Sequence, residues 1–202
     1  HLVTRRGYPV TEEARRRNLP VDEANLNGGF HPLLDWQDIA LLRRLIRGHD
    51  IQVLHAHRGK EHWLAALARF GLRPRPILVR TRHVTTPVAN HAFNRWLYGN
   101  ATDGVICVSR AVEASFRASL PGYRGPLQVI PGGIRLDRLQ EPPAEKLRAL
   151  RRELKLPDNA KVVTLLARVD RVKGHLFAVE ALARVTKKHP EVVLVFAYPR
   201  ES

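Results

Sequence analysis

Residues 165–175 read LLARVDRVKGH, and this stretch decides both the fold class and the candidate chemistry of the chain. An apolar run gives way to Arg168, then Lys173 and Gly174, before a new amphipathic pattern begins at His175. In open α/β sheets, ligands bind where a strand ends and the next helix begins. Two cations beside the free N–H groups of a helix start, with a glycine that admits close backbone approach, suit a pyrophosphate. A solvent-exposed basic loop is the alternative interpretation.

The composition indicates a globular protein with anionic partners. Of 202 residues, 44% are hydrophobic, and 34 Lys and Arg outnumber 19 Asp and Glu, for a net charge of +15. Such an excess favours nucleic acid, acidic lipid headgroups or phosphorylated small molecules, or is a solvated basic surface. The single cysteine, Cys107, excludes a disulfide framework within the chain and is interpreted as a small buried hydrophobe in a reducing compartment. No apolar run reaches 18 residues, and residues 1–9 lack the apolar core of a signal peptide.

Apolar runs of strand length alternate with longer amphipathic patterns along the chain. The strand-like runs are apolar without alternation, which predicts parallel sheets covered on both faces. Predicted strands lie at 1–4, 51–57, 76–83, 104–109, 127–133, 160–169 and 191–197, and predicted helices at 35–50, 61–71, 90–100, 110–120, 140–154 and 175–189. Asp35 and Ser109 are the predicted N-caps, residues 132–133 a Gly-Gly turn, and residues 11–18 an exposed loop or helix end.

Several segments, in order, resemble family 4 glycosyltransferases of the GT-B fold. They are DIQVLHAH, RTRHVTTP, RWLYGNATDGVICVSRAV, LQVIPGGIRLDRL, and LLARVDRVKGHLFAVEALARV followed by HPEVVLVFA. The resemblance implies a Rossmann-like N-terminal, acceptor-side domain at 1–139 that lacks its first strand. It also implies the opening β-α-β of a nucleotide-sugar-binding domain at 140–202. The expected activity is transfer of a sugar, with retention, from a nucleotide-sugar donor to a lipid-linked or lipopolysaccharide-like surface glycan.

The resemblance also assigns roles to individual residues. Arg168, Lys173 and Gly174 would bind the donor diphosphate, so that no active-site metal or other cofactor is expected. His83 would lie near the transferred sugar as the catalytic-site histidine. A histidine that simply closes a strand is the alternative for His83. Gly132 and Gly133 would shape the segment near the hinge, or belong to a plain loop.

Some positions depart from the family pattern. Gly132 and Arg135 stand where the family has Asn and Asp, and residues 198–202 read YPRES where a Gly-rich turn is expected. The chain begins at His1, contains no Met, and lacks the family's downstream pair of glutamates. We therefore expect a segment truncated at both ends that does not transfer sugar by itself.

A cluster of histidines, His55, His57 and His62, has a spacing that can bind zinc. No cysteine or well-placed carboxylate completes this set, and the neighbouring Arg58 and Lys60 would repel a cation. No metal site is therefore predicted, and the resemblance instead places His57 on the rim of the acceptor side.

The N-terminal third is rich in arginine, with Arg5, Arg6, Arg15, Arg16, Arg17, Arg43, Arg44 and Arg47. On an acceptor-side domain, this charge favours a lipid-linked or phosphorylated acceptor at an anionic membrane. The expected location is therefore the cytoplasm, at the inner face of the plasma membrane. Nucleic acid is not the expected partner, because aromatic residues are only 6% and no DNA-binding spacing is present. Two alternatives remain, a basic α/β nucleic-acid-binding protein and a non-catalytic fragment whose sheet edge recruits a partner.

Overall fold

The computed structural model describes residues 1–198, without the side chain of Arg138. Of the YPRES segment, only Tyr198 falls within the described residues. The strands are β1 (Leu2–Arg5), β2 (Val21–Ala24), β3 (Val53–Ala56), β4 (Ile77–Arg82), β5 (Gly104–Cys107), β6 (Leu127–Val129), β7 (Lys161–Leu166) and β8 (Val192–Ala197). The α-helices are α1 (Pro9–Arg16), α2 (Pro32–Gly48), α3 (Gly59–Arg69), α4 (Ala92–Gly99), α5 (Arg110–Ser119), α6 (Ala144–Glu153) and α7 (His175–Val185).

The chain forms two compact units, His1–Ile134 and a second that begins at Arg135. The first unit contains a two-stranded sheet, β1-β2, and a four-stranded sheet in the order β3-β4-β5-β6. All of its strand pairs are parallel. Parallel strands need covering helices as crossovers, which explains the strand–helix alternation of the sequence. The expected fold class, Rossmann-like α/β, is confirmed.

A groove of about 420 Å³ separates the two sheets of the first unit, and strands β1 and β3 line its two sides. The N–H groups of Leu2 and Arg6 donate to the carbonyls of Pro20 and Ala24, next to or at the end of β2. The N–H and C=O groups of successive residues in a strand point to opposite sides. Those of Val3 therefore point away from β2, toward the groove that Val3 lines. The groove extends along β3 to His57 and Arg58, which follow that strand.

The core of the first unit lies on one face of the four-stranded sheet, under helices α3, α4 and α5. Leu78, Cys107 and Phe116 are fully buried at its centre. Cys107 is a buried apolar residue, as predicted, and burial raises the pKa of its thiol. A smaller cluster around Ile46 and Leu72 packs α2 against α3.

Charged and polar groups are also buried here. The guanidinium of Arg69 is 2% exposed, and it donates to the carbonyl of Pro76 at 2.6 Å and to that of Ala101 at 3.1 Å. Arg69 also pairs with the carboxylate of Asp103. Burial acts to raise the pKa of Asp103, but the hydrogen bonds from Arg69 and from the N–H of Leu78 outweigh it and lower that pKa. This network fixes the loops at the amino ends of β4 and β5.

The second unit contains helix α6, the parallel pair β7-β8 and the connecting helix α7. Helix α6 begins right after its N-cap, Pro143, so it starts four residues later than the helix predicted at 140–154. Of the helices within residues 1–198, none is long and apolar enough to cross a membrane.

The structure corrects three local predictions. Helix α2 begins at Pro32, so Asp35 lies inside its first turn and is not the N-cap. Of the two alternatives for residues 11–18, the helix end is right and the loop is wrong, because most of these residues belong to α1, and β2 was not predicted at all. The segment at Gly132 and Gly133 has no turn. By contrast, Ser109 caps α5 as predicted, since its Oγ accepts the N–H of Val112 at 3.2 Å.

Candidate functional site

Two histidines meet at the carboxyl ends of adjacent strands in the first unit. His57 directly follows β3, and His83 directly follows β4. Nδ1 of His57 lies 3.0 Å from Nε2 of His83, within hydrogen-bond distance, and the ring planes differ by 26° with centroids 5.3 Å apart. Both residues are exposed, so the pair forms part of the surface above the sheet. Both residues stand out in the sequence, but their contact was not predicted.

The pair is continued by His55, whose side chain lies on the same face of β3. The rings of His55 and His57 have centroids 4.3 Å apart, and Nε2 of His55 is 2.6 Å from Oγ1 of Thr81. Burial lowers the pKa of both His55 and His57, and the nearby charge of Arg80 acts in the same direction. The cause is the cost of placing a positive charge where water is reduced and another cation is near.

Hydrogen bonds hold the two strand ends in place. The carboxylate of Glu61, in the first turn of α3, accepts the N–H of Arg58 at 2.9 Å and the N–H of His57 at 3.3 Å. At the end of β4, the guanidinium of Arg82 donates to the carbonyl of Thr86 at 2.6 Å, which fixes the loop that carries His83. The histidine pair therefore lies between two anchored turns.

His62 is not part of this cluster, although it belonged to the zinc-like spacing in the sequence. It lies on α3, is fully buried, and has its Nε2 2.7 Å from Oγ1 of Thr102. Among the described residues, no three His, Cys, Asp or Glu side chains are arranged to hold a metal ion.

In the second unit, Arg168, Lys173 and Gly174 lie in the loop between β7 and α7. The side chains of Arg168 and Lys173 are exposed. Gly174 has φ +76°, a left-handed conformation that favours glycine, and it directly precedes α7. Asp170 accepts the N–H of Val172 at 3.2 Å, which shapes the turn between the two cations.

Gly132 and Gly133 lie in an exposed, irregular segment after β6. A Cβ atom at either position would meet no atom within 4 Å, and neither residue has a positive φ. The local backbone therefore does not require glycine at these two positions, and their place near a hinge stays a prediction.

The first unit is the expected acceptor-side domain, and its helix α2 has an exposed stripe of apolar and basic residues. Leu33 and Trp36 are 82% and 70% exposed, and Ala40, Arg44 and Arg47 continue the exposed stripe toward the carboxyl end. The stripe thus combines an apolar half with a basic half.

The buried side of the first turn of α2 is tied to α3. Nζ of Lys60 lies 2.6 Å from the carboxylate of Asp35. Burial acts to raise the pKa of Asp35, but hydrogen bonds from Lys60 and from the N–H of His31 outweigh it and lower that pKa. Sequence reasoning missed this ion pair, because the two residues are 25 positions apart.

Comparison with known protein families assigns the chain to one of them. The model of the family described as Glycosyltransferase Family 4 matches residues 1–138. The chain belongs to glycosyltransferase family 4. No curated protein matches the chain.

Two solved structures share the fold. A glycosyltransferase from Rickettsia africae ESF-5 is 18% identical with a TM-score of 0.76, over 95% of this chain and 58% of that one. A Listeria monocytogenes protein described as a UDP-N-acetylglucosamine 2-epimerase is 15% identical with a TM-score of 0.53, over 92% of this chain and 51% of that one. The family 4 chain thus spans little more than half the length of either structure.

Proposed function

We propose that this family 4 chain acts in the retaining transfer of a sugar from a nucleotide-sugar donor to a lipid-linked or lipopolysaccharide-like surface glycan. The observation that carries the proposal is the β7–α7 loop, where exposed Arg168 and Lys173 flank a turn that leads through left-handed Gly174 into a helix. A guanidinium grips phosphate oxygens in pairs, and an ammonium adds a mobile point charge. Together they would stabilise the departing nucleoside diphosphate without a metal ion.

Calorimetric titration with UDP, ADP, GDP and CDP in the presence of EDTA tests the diphosphate site. We expect binding of one or more of these, and at least tenfold weaker binding in the double variant Arg168→Ala/Lys173→Ala. The control is Arg184→Ala/Lys187→Ala, which removes the same charge at the far end of α7. Equal weakening in both double variants, or binding abolished by EDTA, contradicts the proposal.

The histidine pair supports the sugar-transfer half of the proposal. His83 stands at the carboxyl end of a parallel strand, the edge where α/β sheets bind ligands. Its imidazole would form a hydrogen bond to a sugar hydroxyl or polarise the transition state, and His57 would lie on the acceptor-side rim.

An anionic membrane surface is the proposed location of the acceptor, at the inner face of the plasma membrane. The support is the exposed stripe of α2, with Leu33 and Trp36 in its apolar half and Arg44 and Arg47 in its basic half. Aromatic and aliphatic side chains enter the headgroup region, and arginines attract acidic lipids at about 1 kcal/mol each.

Sedimentation with lipid vesicles tests this location. We expect binding to vesicles that contain phosphatidylglycerol, weaker binding to pure phosphatidylcholine, and loss in Trp36→Ser/Arg44→Ser. The matched control is Phe70→Ser/Arg73→Ser, which removes an exposed aromatic and an arginine from the loop after α3. Binding to vesicles that is independent of their charge and of Trp36 would exclude this surface.

The nucleic-acid alternative is tested with the double variant of the diphosphate site. Tight binding to random-sequence DNA with a steep dependence on salt, unchanged in Arg168→Ala/Lys173→Ala, would favour that alternative over sugar transfer.

A further inference from the structure

The contact between His57 and His83 restricts which atom of His83 can act on a ligand. Their Nδ1 and Nε2 atoms are 3.0 Å apart, so one ring nitrogen must donate a hydrogen and the other must accept it. Nε2 of His83 is therefore occupied by its neighbour, and its Nδ1 is the ring nitrogen left for a ligand.

We infer that His57 is a positioning residue for His83: it holds the imidazole by Nε2 and so makes Nδ1 the atom that meets a neutral polar group, such as a sugar hydroxyl. The inference rests on the proposed sugar transfer for the identity of that group. The contact itself is a property of this chain.

His57 is suited to this task because contacts of its backbone and of its ring hold it in addition to the contact with His83. Its backbone N–H donates to Glu61 at 3.3 Å, its ring packs on His55 at 4.3 Å between centroids, and its Nδ1 meets His83. His55 is itself fixed through Thr81 at 2.6 Å. A ring that packs on a fixed neighbour and is carried by an anchored backbone sets the orientation of the ring next to it at little entropic cost.

The shared hydrogen bond also couples the protonation of the two rings. A neutral pair or a singly protonated pair keeps one hydrogen between the nitrogens, whereas a doubly protonated pair places two N–H groups against each other. The charged and titratable groups that act on the pair are His55 on β3, the Glu61 carboxylate on α3 and Arg80 on β4, and Arg80 acts from the buried side of the sheet, where it donates to the carbonyl of Ala56. Burial and the nearby positive groups lower the pKa of His57, which keeps it neutral, while Glu61 partly opposes them.

Long-range ¹H–¹⁵N NMR of the imidazole nitrogens tests the contact in this chain without any ligand, with His83 assigned from His83→Gln. We expect the Nε2 signal of His83 to be that of a hydrogen-bonded nitrogen near neutral pH, and to change in His57→Ala. In His57→Asn the amide occupies the place of Nδ1, so the signal should return toward that of the unaltered chain. His49→Ala, which removes an exposed histidine elsewhere in this unit, should leave it unchanged. An Nε2 signal that is the same with and without His57 overturns the inference.

A second readout is glycosyl transfer by the whole protein. We expect His57→Ala to lower kcat at least tenfold and to change KM for the donor less than threefold. We also expect a shift in the acid limb of its pH profile and substantial recovery in His57→Asn. A change confined to KM overturns the positioning role. If nucleoside diphosphates fail to bind at Arg168 and Lys173 while the NMR contact is present, sugar transfer is wrong and the histidine contact stands.

Discussion

His62 should make the first unit sensitive to mild acid. Its Nε2 lies 2.7 Å from Oγ1 of Thr102, whose hydroxyl already donates to the carbonyl of Leu97 at 2.6 Å. His62 must therefore donate from Nε2, and its Nδ1 remains a buried acceptor with no partner among the described residues. Burial, together with the charges of Arg80, Arg69 and Arg82, lowers the pKa of His62 from 6.5 to about 3.

The magnitude follows from proton linkage. An unfolded chain binds a proton at this histidine below pH 6.5, whereas the folded chain does so only near pH 3. The free energy of unfolding therefore falls as the pH is lowered through this window, by about 1.4 kcal/mol per pH unit between pH 6 and 4. Between pH 7 and 5 the loss amounts to about 2 kcal/mol, which corresponds to roughly 1 M in the urea midpoint.

Urea unfolding followed by tryptophan fluorescence provides the assay, because Trp36, Trp63 and Trp96 all lie in the first unit. His62→Gln keeps a donor near the Nε2 position and cannot titrate. We expect it to be less stable at pH 7, by about 1 kcal/mol, yet to lose about 2 kcal/mol less on acidification to pH 5. His49→Gln, at an exposed position, serves as the control and should behave like the unaltered chain. Parallel pH dependences for His62→Gln and the unaltered chain would refute the reasoning.

Three further outcomes are expected. Phe116→Ala should lower the free energy of unfolding by about 3–5 kcal/mol in the same urea assay, since Phe116 is fully buried, and a loss below about 1 kcal/mol would contradict the described core. Cys107 should resist iodoacetamide in the folded chain, because burial shields its thiol and raises its pKa, and it should react in concentrated urea. Mass spectrometry measures the labelling, and fast labelling of the folded chain would exclude this packing. Gly174→Ala should destabilise the β7–α7 loop by about 1–2 kcal/mol, measured as faster amide hydrogen exchange in that loop, because Gly174 has a left-handed conformation. Gly132→Ala is the control and should have no effect, and equal behaviour of the two variants would argue against the left-handed conformation.

The sequence was sufficient for elements with a strong apolar signal and insufficient for weak ones. Strands such as β5 are short buried runs between turn residues, so their position follows from burial alone. Strand β2 reads VDEA, with polar residues at its centre, and it forms because β1 offers a pairing edge beside it. No local pattern contains that information.

The misplaced start of α2 has a different cause. The apolar periodicity of the sequence begins at Ile39, and Asp35 precedes it as a residue type that often caps helices, but a helix can extend beyond its buried face. Pro32 supplies a fixed φ at the first position, and Leu33 and Trp36 extend the helix with exposed side chains. Asp35 is instead buried against Lys60, which only the tertiary structure could show.

The candidate site shows the same division between local and long-range information. The resemblance named His57 and His83 separately, but their contact depends on how β3 and β4 are aligned. The pairs His55–Thr81 and His57–His83 both join residues 26 positions apart, so a single strand register produces both contacts. In that register Ala56 pairs with Arg80 and is buried, and a slip of one residue would turn Ala56 to the surface and the histidines inward. The burial of Ala56 and the exposure of the histidine pair therefore follow from the same register, and a change of register would alter both together.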